Sequence, residues 1–272
     1  MNELEAMSRL IEALRPWLGQ LVIVGGWAHR LHRFHSMASP LPYLSLQTGD
    51  ADIAFSSTEH IEGDIGAALK VANFREELTG AHIPPVAHYS LGRDDGGFYA
   101  EFLTPLHGRG YKRNGAPDAT LAKAGVTAQK LRHLELLLVD PFTVRLDSDV
   151  GVRLTSPADA KIANPVSFIA QKLLIQPQRT PKKRAQDILY IHDTLELFGG
   201  ELERLKWIWL AQVRPTLPQK TAQNIVQLQR EQFRVVTDSI REAVRIPADR
   251  TLTPARLRAV CGYGLDQVFG AE

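Results

Sequence analysis

Apolar side chains recur at Leu4, Met7, Leu10, Ile11 and Leu14, the three-and-four spacing that gives a helix one buried face. Pro16 disrupts that pattern near its end. Leu21-Val22-Ile23-Val24 is a short apolar, β-branched run that stops at Gly25-Gly26, which predicts a buried strand. A short helix is expected over Trp27 to His35, then a loop over 36–49, where two prolines interrupt any periodicity. Asp50 to Phe55 alternates polar and apolar positions, as a half-buried strand does. Ile61 to Phe74 predicts a helix. His88–Leu91 and Phe98–Leu103 predict strands flanking a Gly-rich turn at 92–97, and shorter strands are expected at Glu135–Val139, Phe142–Leu146 and Val152–Leu154. From about Asn164 the texture turns helical, with helices expected at 165–175, 183–198, 200–213, 218–245 and 253–268. The pattern gives an α+β fold class: a mixed β-sheet domain with flanking helices over 1–160, then a helical domain over 161–272.

Composition narrows the setting. With 44% hydrophobic and 23% charged residues, the 272-residue chain can bury a sizeable core. No apolar run approaches the roughly 20 residues that span a bilayer, so no membrane partner is expected. The first five residues, with Glu3 and Glu5, lack the basic start of a secretory signal. One cysteine, Cys261, leaves no internal disulfide and no CxxC pair for zinc. A reducing cytoplasm is the natural compartment. The net charge of +2 does not mark the whole surface for nucleic acid, but Lys172, Arg179, Lys182, Lys183 and Arg184 form a local basic run without an acid among them.

Candidate chemistry begins at Gly25-Gly26. A strand that ends in two glycines can turn sharply and let a phosphate approach the backbone and the following helix, although the same pair also serves as an ordinary turn. Asp50 and Asp52 stand at i and i+2 of a strand and so share a face about 7 Å apart. Two carboxylates that close resist joint ionisation, and a divalent cation such as magnesium relieves the repulsion. The alternative is a solvated acidic face. A two-metal site needs a third carboxylate on a neighbouring strand. Glu101, an acid embedded in the apolar run Phe98-Tyr99-Ala100-Glu101-Phe102-Leu103, is the best candidate, because isolated burial of such a group is costly. A solvent-facing edge residue is the competing reading. Asp94 and Asp95 are rivals set in what reads as a hairpin tip.

Val22-Ile23-Val24-Gly25-Gly26-Trp27-Ala28 followed by Thr48-Gly49-Asp50-Ala51-Asp52-Ile53 resembles the nucleotidyltransferase superfamily of DNA polymerase β, nearest to its minimal bacterial members and the AbiE-type toxin enzymes. The resemblance implies a triphosphate-cradling turn at Gly25 and Gly26, a metal pair at Asp50 and Asp52, and a third carboxylate at Glu101, a position that is usually aspartate. It extends more loosely to Ser167–Leu174 and Lys183–Leu189, which makes Lys172 a phosphate ligand and Asp187 an active-site acid, with Arg184 or Lys183 nearby. Leu46, Gln186 and Tyr190 depart from the family pattern, where arginine, lysine and a second aspartate are common.

The implied reaction moves a nucleoside monophosphate from an NTP to an acceptor hydroxyl and releases pyrophosphate, with two Mg2+ ions or Mn2+ in their place. The resemblance implies an RNA such as tRNA, or a protein side chain, as the acceptor in a toxin–antitoxin setting with a cognate antitoxin protein as partner, and the basic run over 172–184 favours RNA. A small-molecule acceptor of the aminoglycoside type and a catalytically degenerate nucleotide-binding module are the alternatives. His29, His32 and His35 recur at a helical spacing of three but have no clear partner ligand for zinc on the same element. Trp207 and Trp209, two apart on a helix, cannot both face the core squarely.

Overall fold

The structure is a computed structural model that describes residues 2–80, 83–92, 97–112 and 115–270. Contacts divide the chain into two compact units, Met1–Phe34 with Gln47–Ala163, and His35–Leu46 with Asn164–Glu272. The architecture is α+β, a mixed sheet with flanking helices followed along the chain by further helices.

The first unit opens on α1 (Glu3–Leu14), started by a capping box in which Asn2 accepts from Glu5 N and Glu5 returns the bond to Asn2 N. Met7, Leu10, Ile11 and Leu14 on its inner face are buried. The strands are β1 (Val22–Val24), β2 (Asp50–Ala54), β3 (Arg75–Thr79), β4 (Val86–Leu91), β5 (Phe98–Pro105), β6 (Thr120–Lys123), β7 (Val126–Leu131), β8 (Phe142–Leu146) and β9 (Ala158–Ile162), with α2 (Gly25–Leu31) and α3 (Ile65–Val71) between them. They form one nine-stranded sheet in the order β3-β4-β5-β2-β1-β9-β8. β7 takes over the later part of β5, Leu103–Pro105, where the β4 pairing over Phe98–Glu101 has ended. The sheet is mixed: β2 and β7 run parallel to β5 and β9 parallel to β1, while β1 is antiparallel to β2.

Several elements differ from their sequence reading, each for a physical reason. Glu135–Leu138 is a 3-10 helix and not a strand; its leucines have no β-branched stiffness, and the turn buries Leu136 and Leu137. Val152–Leu154 pairs with no strand. Val152 N donates to Asp147 O and Arg153 N to Ser8 Oγ on α1, so a turn and a side chain satisfy the backbone there. The helix expected over Ile61–Phe74 shrinks to Ile65–Val71, because Asp64 caps it from Ala67 N and Asn73 leaves it at φ 68°. β3 went unforeseen because Arg75-Glu76-Glu77-Leu78-Thr79 is exposed at every position and carries no alternation. β6 and β7 join through Ala124-Gly125, both at positive φ, as a two-residue hairpin turn requires. Arg93 to Gly96, including Asp94 and Asp95, lie outside the described residues.

In the second unit α4 (Pro165–Ile175) and α5 (Pro181–Leu197) start at Asn164 and Thr180, whose side chains accept from Ser167 N and Lys183 N. α6 (Leu202–Ile208) runs into a π-helical turn at Trp209–Val213. Trp209 is buried against Phe269 with ring centroids 4.9 Å apart, while Trp207 is exposed. The single helix expected over 218–245 is two, α7 (Gln219–Gln232) and α8 (Asp238–Ala243), since Thr237 caps a new start from Ile240 N. α9 (Pro254–Phe269) closes the unit and buries Cys261.

Leu10 is fully buried on α1 and Arg9 beside it is exposed. Leu10→Ala is expected to lower stability by about 2–5 kcal/mol, and Arg9→Ala to stay within about 0.5 kcal/mol, in urea denaturation followed by circular dichroism.

Candidate active site

β2 alternates by face: Asp50 and Asp52 are half-buried on one side, and Ala51 and Ile53 are fully buried on the other. β5 runs parallel beside it with Asp50 opposite Tyr99 and Asp52 opposite Glu101. Aligned residues of neighbouring strands point to the same face, so Asp50, Asp52, Tyr99 and Glu101 share one side of two central strands. Ala100 and Phe102, buried on the other side, lock that register, since a slip of one residue would exchange the carboxylates with the core.

β1 flanks β2 on its other edge, with Val24 opposite Asp52. The chain therefore turns at Gly25 directly beside that carboxylate. Gly25 sits at φ 63°, and any Cβ there would overlap Asp52 Oδ2. Only glycine meets both demands. Gly26 follows as the second residue of α2, and its neighbour Trp27 is fully buried.

Three further residues on this face escaped the sequence reading. Thr48 Oγ1 donates to Asp50 Oδ1. His88, opposite Glu101 on β4, places Nε2 3.2 Å from Glu101 Oε1. Tyr99 stacks on the His88 ring at 5.7 Å between centroids. Burial, followed by the negative fields of Asp50, Glu101 and Asp52, pushes the Tyr99 hydroxyl up to about 12. The signal was present in the alternation: Tyr99 is two residues from Glu101, and His88 and Ser90 interleave with buried Ala87, Tyr89 and Leu91. What the sequence lacked was the pairing that brings the strands together.

Like charges directly opposite one another across strands are destabilising. Three hard oxygen donors on one face, with glycine backbone beside them, are a donor set that fits a divalent cation such as Mg2+ or Mn2+.

In the second unit the sequence-derived residues Lys172, Asp187 and Arg184 fall on α4 and α5. Lys172 Nζ meets Asp187 Oδ1 at 2.7 Å with both side chains almost wholly buried, and Arg179 Nε meets Asp187 Oδ2 at 3.0 Å. The Lys172 ammonium also faces the Phe168 and Tyr190 rings. Arg184 turns Nη2 toward Arg179 O at 3.4 Å. The lysine charge is thus already matched inside the unit.

Among the described residues, one group of three side chains brings potential ligand atoms within 4.8 Å of one another: His192, Asp193 and Glu196 on α5. Their charge is balanced by protein. Arg250 Nη2 contacts both Asp193 oxygens, at 2.6 and 2.7 Å, and Glu196 accepts from Tyr43 and Arg256. Those bonds, with the field of His192, hold the Glu196 carboxyl below its ordinary value despite burial, which alone would raise it. This group has the character of a structural ion network. His29 and His32 are buried on and just after α2, with His32 Nε2 2.8 Å from Ala163 O.

Gly25→Ala forces a Cβ into a left-handed residue and into Asp52, so a loss of about 1–3 kcal/mol is expected, against little change for Gly19→Ala, where nothing lies within 4 Å; thermal melting compares the two. Lys172→Ala leaves Asp187 with Arg179 as its remaining basic partner and is expected to cost about 1–3 kcal/mol. Lys172→Met combined with Asp187→Leu should recover most of that loss in urea denaturation.

No curated protein matches the chain. A sequence model of a family described as Nucleotidyltransferase matches residues 2–213, well over half of the chain and the whole of the carboxylate-bearing sheet. The chain belongs to this nucleotidyltransferase family, and nucleotidyl transfer is the general activity that membership supports.

Proposed function

We propose that the protein moves a nucleoside monophosphate from an NTP to an acceptor hydroxyl, with RNA as the acceptor, and that Asp50, Asp52 and Glu101 hold the Mg2+ this reaction uses. The observation that carries this reading is the pairing of Asp52 with Glu101 on parallel strands, which puts three carboxylates on one face beside a glycine turn. Bound magnesium supplies charge neutralisation on the triphosphate and acidifies the attacking hydroxyl. Gly25 keeps side-chain bulk away from Asp52 and, with Gly26, leaves backbone open to the β and γ phosphates. Thr48 orients the Asp50 carboxylate. Most of the rate in such a scheme comes from positioning and from fixed charge.

Support for RNA rests on the exposed Lys182 and Lys183 at the start of α5. Nucleotide binding by Lys172, Arg184 and Asp187 belongs to this proposal too. So do kinship with the AbiE-type branch, a toxin–antitoxin setting and a cognate antitoxin protein. Among the described residues no helix is long and apolar enough to cross a membrane.

Incubation of the purified chain with α-labelled NTPs, Mg2+ and total RNA tests the reading. Label on RNA is the expected result, removed by EDTA and reduced by about a hundred- to a thousandfold in Asp50→Asn and Asp52→Asn. Label confined to small-molecule acceptors overturns the RNA assignment. Magnesium-dependent transfer that survives both substitutions overturns the site.

A further inference from the structure

Glu101 occupies a position where the resemblance leads to an aspartate, and the longer side chain has one more rotatable bond to restrain. The structure supplies a restraint. His88 lies opposite Glu101 in the antiparallel β4–β5 pair, on the same face, and its Nε2 is 3.2 Å from Glu101 Oε1. The imidazole is itself held. It stacks on Tyr99 at 5.7 Å with the rings 25° from parallel, and Tyr99 is opposite Asp50 on β2 and Ser90 on β4. Ser90 Oγ donates to Glu77, the β3 residue opposite His88. A chain of neighbours on one sheet face therefore runs from the edge strand to the Asp pair.

We propose that His88 is a positioning residue for the metal site: its Nε2 edge, 3.2 Å from one Glu101 oxygen, pairs with that carboxylate and so fixes how it is presented to a divalent cation. The inference rests on the proposed role of Asp50, Asp52 and Glu101. Outer partners of this kind orient a ligand and make it bind more tightly without touching the metal. Tyr99 contributes the flat surface that keeps the imidazole edge aimed at Glu101.

Two substitutions separate the Nε2 contact from the stack. His88→Phe keeps a ring on Tyr99 and removes the ring nitrogen. His88→Gln returns an N–H donor of similar reach. Mn2+ binding to the full chain, read as free Mn2+ by electron paramagnetic resonance with an equimolar mixture of the four α,β-methylene NTPs present, is the measurement, and Asp52→Asn is the reference for a lost site. Circular dichroism melts check that every variant is folded. The expected result is a Mn2+ dissociation constant raised about tenfold in His88→Phe and within about threefold of native in His88→Gln, with transfer by His88→Phe restored toward native kcat at saturating Mn2+. Native-like Mn2+ binding by His88→Phe, with Asp52→Asn defective, overturns the positioning role and leaves the site standing. Equal weakening in both His88 variants overturns it as well, because the imidazole would then act as a ligand. A native chain that binds no Mn2+ under these conditions overturns the site reading itself.

Discussion

Two carboxylates set opposite one another on adjacent parallel strands repel, and the register that pairs Asp52 with Glu101 commits the sheet to that cost. Apolar burial on the other face enforces it. Ala51, Ile53, Ala100 and Phe102 are all buried, so neither strand can slip without carrying an acid into the core. The parallel pairing of β2 with β5 needs a crossover, and α3, β3 and β4 provide it. β4 then returns antiparallel to β5 and brings His88 against Glu101. On the opposite edge β1 ends abreast of Asp52, where the absence of a Cβ at Gly25 keeps the carboxylate from being displaced.

A sheet face loaded with negative charge suits chemistry whose substrate is itself a polyanion, provided a cation mediates between the two. The carboxylate face lies within the stretch of chain that the nucleotidyltransferase family model matches. The three carboxylates of the face come from paired strands and not from loops, an arrangement that holds side chains to tight tolerance.

The helical unit handles charge differently. α5 carries Asp187, His192, Asp193 and Glu196, and each acid meets a basic partner within the unit: Lys172 and Arg179 at Asp187, Arg250 at Asp193, Arg256 at Glu196. Compensation of this kind is what buried ions require. The most buried member of the basic run, Lys172, is matched in this way.

Much of the architecture was legible in one dimension because it is local. The spacing on α1, the alternation of β2 and the unbroken apolar run of β1 all arise from neighbours within four residues. Asp50, Asp52 and Glu101 stood out for the same reason, as acids in strand patterns. Hidden were the elements whose stability comes from partners distant in sequence: β3, exposed throughout and ordered by pairing with β4, and the Leu-rich turn at Glu135–Leu138, which buries Leu136 and Leu137. The same division holds at the site. Residue type and alternation determined which side chains could hold a cation, whereas pairing alone decided that Glu101 lies opposite Asp52, that Gly25 abuts it, and that His88 and Tyr99 stand beside them. Strand register is a long-range choice made by the packing of the opposite face, and no local pattern encodes it.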